Sequence, residues 1–167
     1  MYRGAPEEKR SGYDIAQICL NGHVTNSIAQ ARPSDNKKFC SQCGEPTTTT
    51  CQSCQHSIPG ALYSPQMGKF SYSAPAYCIE CGEPYPWTKR RLTAAKELAQ
   101  EMEGLTAEER DLLTKSLDDL IRDTSHTPVA ATRFKKLMAK VGGGAGKALY
   151  DVVVDIASET AKKAMGL

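Results

Sequence analysis

The chain has 167 residues and a formal net charge of +2. That size allows one or two small domains, and the charge is too small for a protein organised around bulk phosphate attraction. No run of about 18 apolar residues exists, which excludes a membrane-spanning helix. Residues 1–12 hold no apolar h-region, so no signal peptide is expected. Without export the cysteines stay reduced in the cytoplasm, where Cys-x-x-Cys pairs serve as metal ligands more readily than as disulfides.

Residues 1–12 carry glycines, a proline and packed charges, and are expected to be a flexible lead-in. Tyr13 to Leu20 alternates toward a short strand. Asn21-Gly22 is a two-residue hairpin signal, and Val24 to Ala31 is the expected return strand. The turn lies between Cys19 and His23, so both side chains can curl toward one metal. A loop over residues 32–38 leads to Phe39 and the pair Cys40/Cys43. Gly44 follows, where a positive φ lets backbone N–H groups point at the thiolates. The pairs Cys51/Cys54 and Cys78/Cys81 come next.

The seven cysteines and His23 make eight ligands, which is two complete tetrahedral zinc sites. A disulfide reading leaves one cysteine over and gives His23 no role. Phe39-Cys-Ser-Gln-Cys-Gly-Glu-Pro46 and Tyr77-Cys-Ile-Glu-Cys-Gly-Glu-Pro84 are an internal repeat, and each is preceded by a less regular pair. The simplest pairing is two sequential ribbons. One uses Cys19, His23, Cys40 and Cys43; the other uses Cys51, Cys54, Cys78 and Cys81. Two alternatives stay open: Cys40/Cys43 sharing a metal with Cys51/Cys54, or an interleaved cross-brace. His56 is a further candidate ligand, although a polar loop histidine is the plainer reading. Catalytic zinc usually keeps an open position for water. Four protein ligands per site, most of them thiolates, suit closed sites that fold the domain. Residues 13–87 hold few large aliphatics, so two zinc ions per chain would stand in for a core.

Tyr63, Phe70, Tyr72, Tyr77, Tyr85 and Trp87 cluster on the second ribbon. They either pack a thin sheet over the metal or stack bases. Lys89, Arg90 and Arg91, just beyond Trp87, are the best basic patch and could meet nucleic acid or a protein partner; otherwise they are the solvated start of a helix.

Cysteine vanishes after Trp87 and helix formers take over. Thr88 is the expected N-cap of a helix to about Glu103, with Leu92, Ala95, Ala99 and Met102 on one face and Gly104 as its stop. Thr106-Ala-Glu-Glu109 is a capping box opening a helix to about Ile121. Thr127-Pro128 reads as an N-cap followed by proline, opening a helix to about Lys140 that buries Ala130, Phe134, Leu137 and Met138. A fourth helix is expected from about Ala145 to Ala164. Its small residues suit internal packing, self-association or, least of all, a membrane surface. The fold class is therefore α+β: two small β zinc ribbons in residues 13–87, then a bundle of about four helices in residues 88–167.

Gly142-Gly-Gly-Ala-Gly-Lys147 resembles a phosphate loop but fails, because Val141 stands where glycine is needed and Ala148 where Ser or Thr is needed. Neither His-Glu-x-x-His nor Gly-x-Ser-x-Gly occurs, so an enzyme is not the leading expectation.

Four runs resemble a family of small bacterial zinc-ribbon proteins catalogued as a domain of unknown function. They are Ile18-Cys-Leu-Asn-Gly-His-Val-Thr-Asn26, Phe39-Cys-Ser-Gln-Cys-Gly44, Tyr77-Cys-Ile-Glu-Cys-Gly-Glu-Pro-Tyr-Pro-Trp-Thr88 and Thr127-Pro-Val-Ala-Ala-Thr-Arg-Phe-Lys-Lys136. The resemblance covers most of the chain from Tyr13 on. It implies zinc, a bacterial cytoplasmic setting and a two-part architecture, and it implies no activity. The leading expectation is a zinc-stabilised interaction or adaptor module that docks a protein partner or a second copy through its helices. The alternative is a nucleic-acid-binding regulator using the ribbon aromatics and the Lys89–Arg91 patch.

Overall fold

The computed structural model describes residues 12–64, 68–69, 71–141 and 143–167. Of the expected lead-in, residues 1–11 lie outside the described residues, whereas Gly12 is already in a strand, paired with Tyr63. The chain divides into two units, Met1–Trp87 and Thr88–Leu167.

In the first unit the expected strand over residues 13–20 is two strands serving two sheets. Strand β1 (Gly12–Ile15) and β2 (Gln17–Cys19) are separated by Ala16, which is fully buried. Strand β3 spans Val24–Asn26, β4 Thr47–Thr48, β5 Pro59–Ser64 and β6 Gly68–Lys69. One sheet has the order β1-β5-β6 and the other β3-β2-β4, and every pairing is antiparallel. The register of β1 on β5 shifts between Tyr13 and Ile15, which turns the chain out of one sheet and into the next.

The return strand stops at Asn26, well short of the expected Ala31, because side chains take over the backbone beyond it. Asn26 Nδ2 donates to the Arg32 carbonyl at 2.9 Å and to Asn36 Oδ1 at 2.7 Å, and the Ile28 N–H donates to Asn26 Oδ1 at 3.1 Å. Gln17 Oε1 accepts from Thr25 Oγ1 at 3.0 Å and from the Lys37 N–H at 2.8 Å. Asp14 accepts the Gln30 and Ala31 N–H groups at 2.8 and 2.9 Å. Asn26 and Gln17 are 6% and 8% exposed, so these bonds are made largely out of water, where leaving a donor or acceptor unmade costs about 1–3 kcal/mol. This amide network carries the chain from His23 to Cys40 without a long strand. The core of the unit is small: Ala16, Ile18, Ile58, Tyr85 and Trp87, with Cys51 and Cys78.

Five helices follow, one more than expected: α1 (Pro86–Gln100), α2 (Ala107–Leu120), α3 (Thr127–Met138), α4 (Gly143–Ile156) and α5 (Glu159–Met165). The expected last helix breaks at Ala157-Ser158. The Ser158 N–H leaves the helix to donate to the Leu120 carbonyl at 2.9 Å, and Ser158 Oγ accepts from the Ala161 N–H as the cap of α5. Restarting the helix resets its phase, so Ala161 and Met165 are buried and Ala164 is exposed.

Helix α1 starts two residues before the expected cap. Pro86, whose fixed φ suits a first turn, opens it, and Thr88 is buried within that turn. Thr106 and Glu109 form both arms of the capping box of α2. Thr127 is no cap. It is fully buried inside the start of α3, where its Oγ1 meets the Asp119 and Arg122 carbonyls and accepts from the Thr124 N–H. Leu113, Leu117, Leu120, Phe134, Leu149 and Val153 are fully buried together, and the Phe134 ring stacks on Tyr150 at 6.1 Å. This is an ordinary apolar core.

Gly60 in β5 is crowded by backbone, that of β1 beside it and of Ser27 just beyond β3. An added Cβ would lie 2.5 Å from the Ser27 carbonyl oxygen and 2.7 Å from the Ile15 carbonyl carbon, both backbone atoms. Gly60→Ala is expected to lower stability by about 2–3 kcal/mol, read as a drop in the thermal unfolding midpoint of the first unit.

Candidate metal centres

Eight candidate ligand residues converge on two points. Cys19, His23, Cys40 and Cys43 bring one ligand atom each to within 4.8 Å of one another, and Cys51, Cys54, Cys78 and Cys81 do the same. These are the sets of the sequential pairing, and neither alternative pairing is the one brought together. His56 stays outside, with its Nδ1 3.9 Å from Glu80 Oε2.

Each set is assembled from loops of one repeated design. The Cys40 N–H donates to the Glu45 carbonyl and the Gly44 N–H to the Cys40 carbonyl, at 2.8 and 2.9 Å. Cys51 repeats both bonds with His56 and Gln55, at 2.8 and 2.9 Å, and Cys78 with Glu83 and Gly82, at 2.9 and 3.0 Å. Bridges Phe39–Pro46, Thr50–Ser57 and Tyr77–Pro84 close the loops. The fourth residue after each first cysteine has a positive φ: Gly44 at 73°, Gln55 at 62° and Gly82 at 72°. Cys51–Cys54 is therefore the same knuckle as the other two, although its sequence looked irregular. Aligning Thr50-Cys-Gln-Ser-Cys-Gln-His-Ser57 on the two glycine knuckles would have found it, with Gln55 in the glycine position.

The fourth loop differs. The Cys19 N–H donates to the His23 carbonyl at 3.0 Å, the Gly22 N–H returns to the Cys19 carbonyl at 2.8 Å, and Gly22 has φ 88°. The His23 ring then presents Nδ1, which lies 3.5 Å from both Cys19 Sγ and Cys40 Sγ. Sulfur–sulfur separations are 3.7 Å for Cys19–Cys43, 3.8 Å for Cys51–Cys81 and 3.7 Å for Cys54–Cys78.

Backbone N–H groups already point at the sulfurs: His23 to Cys19 at 3.3 Å, Gln42 to Cys40 at 3.4 Å and Ser53 to Cys51 at 3.4 Å. Burial opposes ionisation of Cys40, yet the N–H groups of Gln42 and Cys43, with the Cys43 and His23 side chains, bring its thiol down to about 6. The Cys81 N–H, aided by that of Glu80, brings Cys78 to about 6. For Cys54 the His56 N–H favours the thiolate, but burial and the thiols of Cys81, Cys78 and Cys51 together push it up to about 12. In each crowded set some sulfurs are pushed toward the thiolate, Cys40 in the first and Cys51 and Cys78 in the second, while others, Cys19 in the first and Cys54 and Cys81 in the second, are pushed away from it. A divalent cation removes that conflict by deprotonating all of its ligands. In each set the leading cysteines (Cys19, Cys40, Cys51, Cys78) are buried, while Cys43, Cys54 and Cys81 are exposed.

Trp87 is only 3% exposed, its ring stacks on Tyr85 at 4.6 Å, and its Nε1 donates to the Pro75 carbonyl at 2.8 Å. It is core, with no face for a base. Tyr85 is 1% exposed; Tyr63, Tyr72 and Tyr77 are half-buried, and Phe70 lies outside the described residues. Lys89 and Arg90 are exposed and Arg91 is half-buried in α1.

A small α+β protein with two thiolate-rich sets of four is the class that fold and site define. Residues 12–165 match the family described as "Uncharacterized protein conserved in bacteria" (DUF2321), and the chain belongs to that family. No curated protein and no solved structure matches it. No helix among the described residues is long and apolar enough to cross a membrane.

The positive-φ positions rank by what surrounds them. An added Cβ meets nothing within 4 Å at Gly44 and Gly82, but lies 2.9 Å from Trp87 Cβ at Gly22. Gly44→Ala and Gly82→Ala should each cost about 1 kcal/mol from the backbone alone. Gly22→Ala should cost about 2–3 kcal/mol more, because the turn can no longer sit on Trp87. Gln55→Gly should be neutral or stabilising by about 0.5 kcal/mol. Thermal unfolding of the four variants checks the order.

Proposed function

We propose that the chain is a zinc protein holding two zinc ions per molecule in closed structural sites, and that it serves as a zinc-stabilised protein-interaction module. The ligand-atom spacing carries this reading. Zinc bonds of about 2.3 Å to sulfur and about 2.0 Å to nitrogen, at tetrahedral angles, place sulfurs about 3.8 Å apart and a sulfur–nitrogen pair about 3.5 Å apart. The observed 3.7–3.8 Å and 3.5 Å fit both sets. Seven thiolates and one imidazole are a soft set that favours zinc over calcium or magnesium. Cys19, His23, Cys40 and Cys43 would hold one ion, and Cys51, Cys54, Cys78 and Cys81 the other.

Four protein ligands leave no position for a reacting water, so the ions would supply folding free energy rather than catalysis. The proposal places the chain in a reducing compartment, the cytoplasm, where seven thiols persist. A protein partner or a second copy, docking through the helical unit, is preferred to nucleic acid because Tyr85 and Trp87 are buried and only short basic stretches are available.

Native mass spectrometry of the purified chain should show two zinc ions per chain. Cys78→Ser should lose one of them and unfold the first unit while helical circular dichroism persists. A chelator should do the same to both sites and shift the emission of Trp87, the single tryptophan, to longer wavelength as its buried ring meets water. One zinc per chain, or an unfolded-state spectrum reached only when the helices melt too, would sink the closed-site reading.

A further inference from the structure

Asparagine followed by glycine is the pair on which a backbone nitrogen most readily attacks a side-chain amide, because the glycine has no side chain to shield that nitrogen. The chain has three asparagines, and only Asn21 precedes a glycine. Asn26 precedes Ser27 and Asn36 precedes Lys37. Both of those side-chain amides are also held by backbone carbonyls, Asn26 by Arg32 at 2.9 Å and Asn36 by Ala29 at 3.2 Å.

Asn21-Gly22 lies inside the loop that closes Cys19 onto His23. The Gly22 nitrogen, the nucleophile of such an attack, donates to the Cys19 carbonyl at 2.8 Å, and the Cys19 N–H donates to the His23 carbonyl at 3.0 Å. The attack makes a cyclic imide in which the Gly22 nitrogen carries no hydrogen, so its bond to Cys19 cannot survive in the intermediate. The closed loop has little room to rearrange around that ring. Gly22 sits at φ 88°, and an added Cβ would lie 2.9 Å from Cβ of the buried Trp87. The reaction therefore belongs to the open loop.

We infer that Asn21 is a modification site whose deamidation is held back by the ion of the first centre, and whose isoaspartate product prevents that ion from returning. The inference rests on the zinc reading above. In the first step the Gly22 nitrogen bonds to Asn21 Cγ, its proton passes to water, and the side-chain nitrogen leaves as ammonia. Water then opens the imide at one of its two carbonyls. Opening at the side-chain carbonyl leaves aspartate. Opening at the main-chain carbonyl leaves isoaspartate, whose backbone runs through the former side chain and adds one carbon between Cys19 and His23. That carbon moves His23 Nδ1 off the point it holds 3.5 Å from Cys19 Sγ and Cys40 Sγ. The three knuckles of residues 40–43, 51–54 and 78–81 contain no asparagine, so the second centre is outside this chemistry. An ion that binds only the closed loop slows the reaction by mass action, about a hundredfold when free zinc stands about a hundred times above its dissociation constant.

The test uses the full chain. Chain shown by native mass spectrometry to hold two zinc ions, kept in zinc buffered about a hundred times above its dissociation constant, is incubated at mildly alkaline pH beside chain held in chelator. Peptide mass mapping should find Asn21 converted about a hundredfold faster in chelator, with Asn26 and Asn36 behind it. Once zinc is restored, the isoaspartate fraction should hold one ion per chain. Thiol alkylation should then reach Cys19, Cys40 and Cys43 and spare Cys51, Cys54, Cys78 and Cys81. Asn21→Ser, which has no amide to lose, should regain both ions after the same chelation. Equal conversion of Asn21 with and without zinc overturns the inference. So does an isoaspartate chain that regains both ions, or an Asn21→Ser chain that does not, since chelation alone would then account for the loss. A parent chain that never holds two ions overturns the zinc reading as well, a result distinguishable because it appears before any incubation.

Discussion

Crowding four ligand atoms within 4.8 Å, twice over, is the constraint on which the first unit depends. Thiolates at such distances repel one another strongly, and a set of thiols that is only partly ionised offers little attraction to hold four loops together. The loops answer with backbone geometry. Each knuckle turns its N–H groups onto its leading sulfur and spends a positive φ to do so, which is why Gly44 and Gly82 stand where they do and why Gln55 is strained in the same place. What remains is a charge problem that only a cation solves, so the fold of this unit and its proposed metal are one question rather than two.

Everything else in the unit is consistent with that dependence. Its apolar cluster has two isoleucines and two large aromatics at its centre, with two of the ligand cysteines among them. Burying so few side chains falls short of the conformational entropy of ordering some seventy residues at about 1–2 kcal/mol each. Polar bonds fill part of the gap, through Gln17, Asn26 and Asp14, but such bonds specify a loop more than they stabilise it. The helical unit solves the same problem with leucines, Phe134 and alanines on facing stripes.

The two clusters of candidate ligands were legible in the sequence because ligand chemistry is carried by residue identity. Seven cysteines and His23 name themselves, and the repeated Cys-x-x-Cys-Gly-Glu-Pro orders them. What stayed hidden depends on three-dimensional approach. The Cys51 knuckle was obscured by Gln55, since a positive φ at a non-glycine residue leaves no mark on the sequence. The aromatic run ending at Trp87 has the same composition whether it faces bases or a core, and only burial separates the two. The return strand was overextended because a side-chain network that competes with strand pairing has no period to read. The break at Ser158 was missed for a related reason: the apolar stripe continues through it, while the event that ends α4 is a hydrogen bond to Leu120, distant in sequence.

The one histidine among the candidate ligands accounts for the one irregular loop. An imidazole Nδ1 stands one atom further from its backbone than a cysteine Sγ, so a Cys-x-x-Cys knuckle cannot accept it in place of a sulfur without moving the metal point. The Cys19–His23 loop inserts one more residue and makes the turn at Gly22, which recovers the position: Nδ1 lies 3.5 Å from two sulfurs. The longer turn then needs support from outside, and Trp87 gives it, lying so close to Gly22 that no side chain fits between them. The same indole stacks on Tyr85 beside Cys78. The imidazole in place of a fourth thiol thus leaves the first set with less negative charge to carry and ties its turn to the aromatic pair that packs against the second.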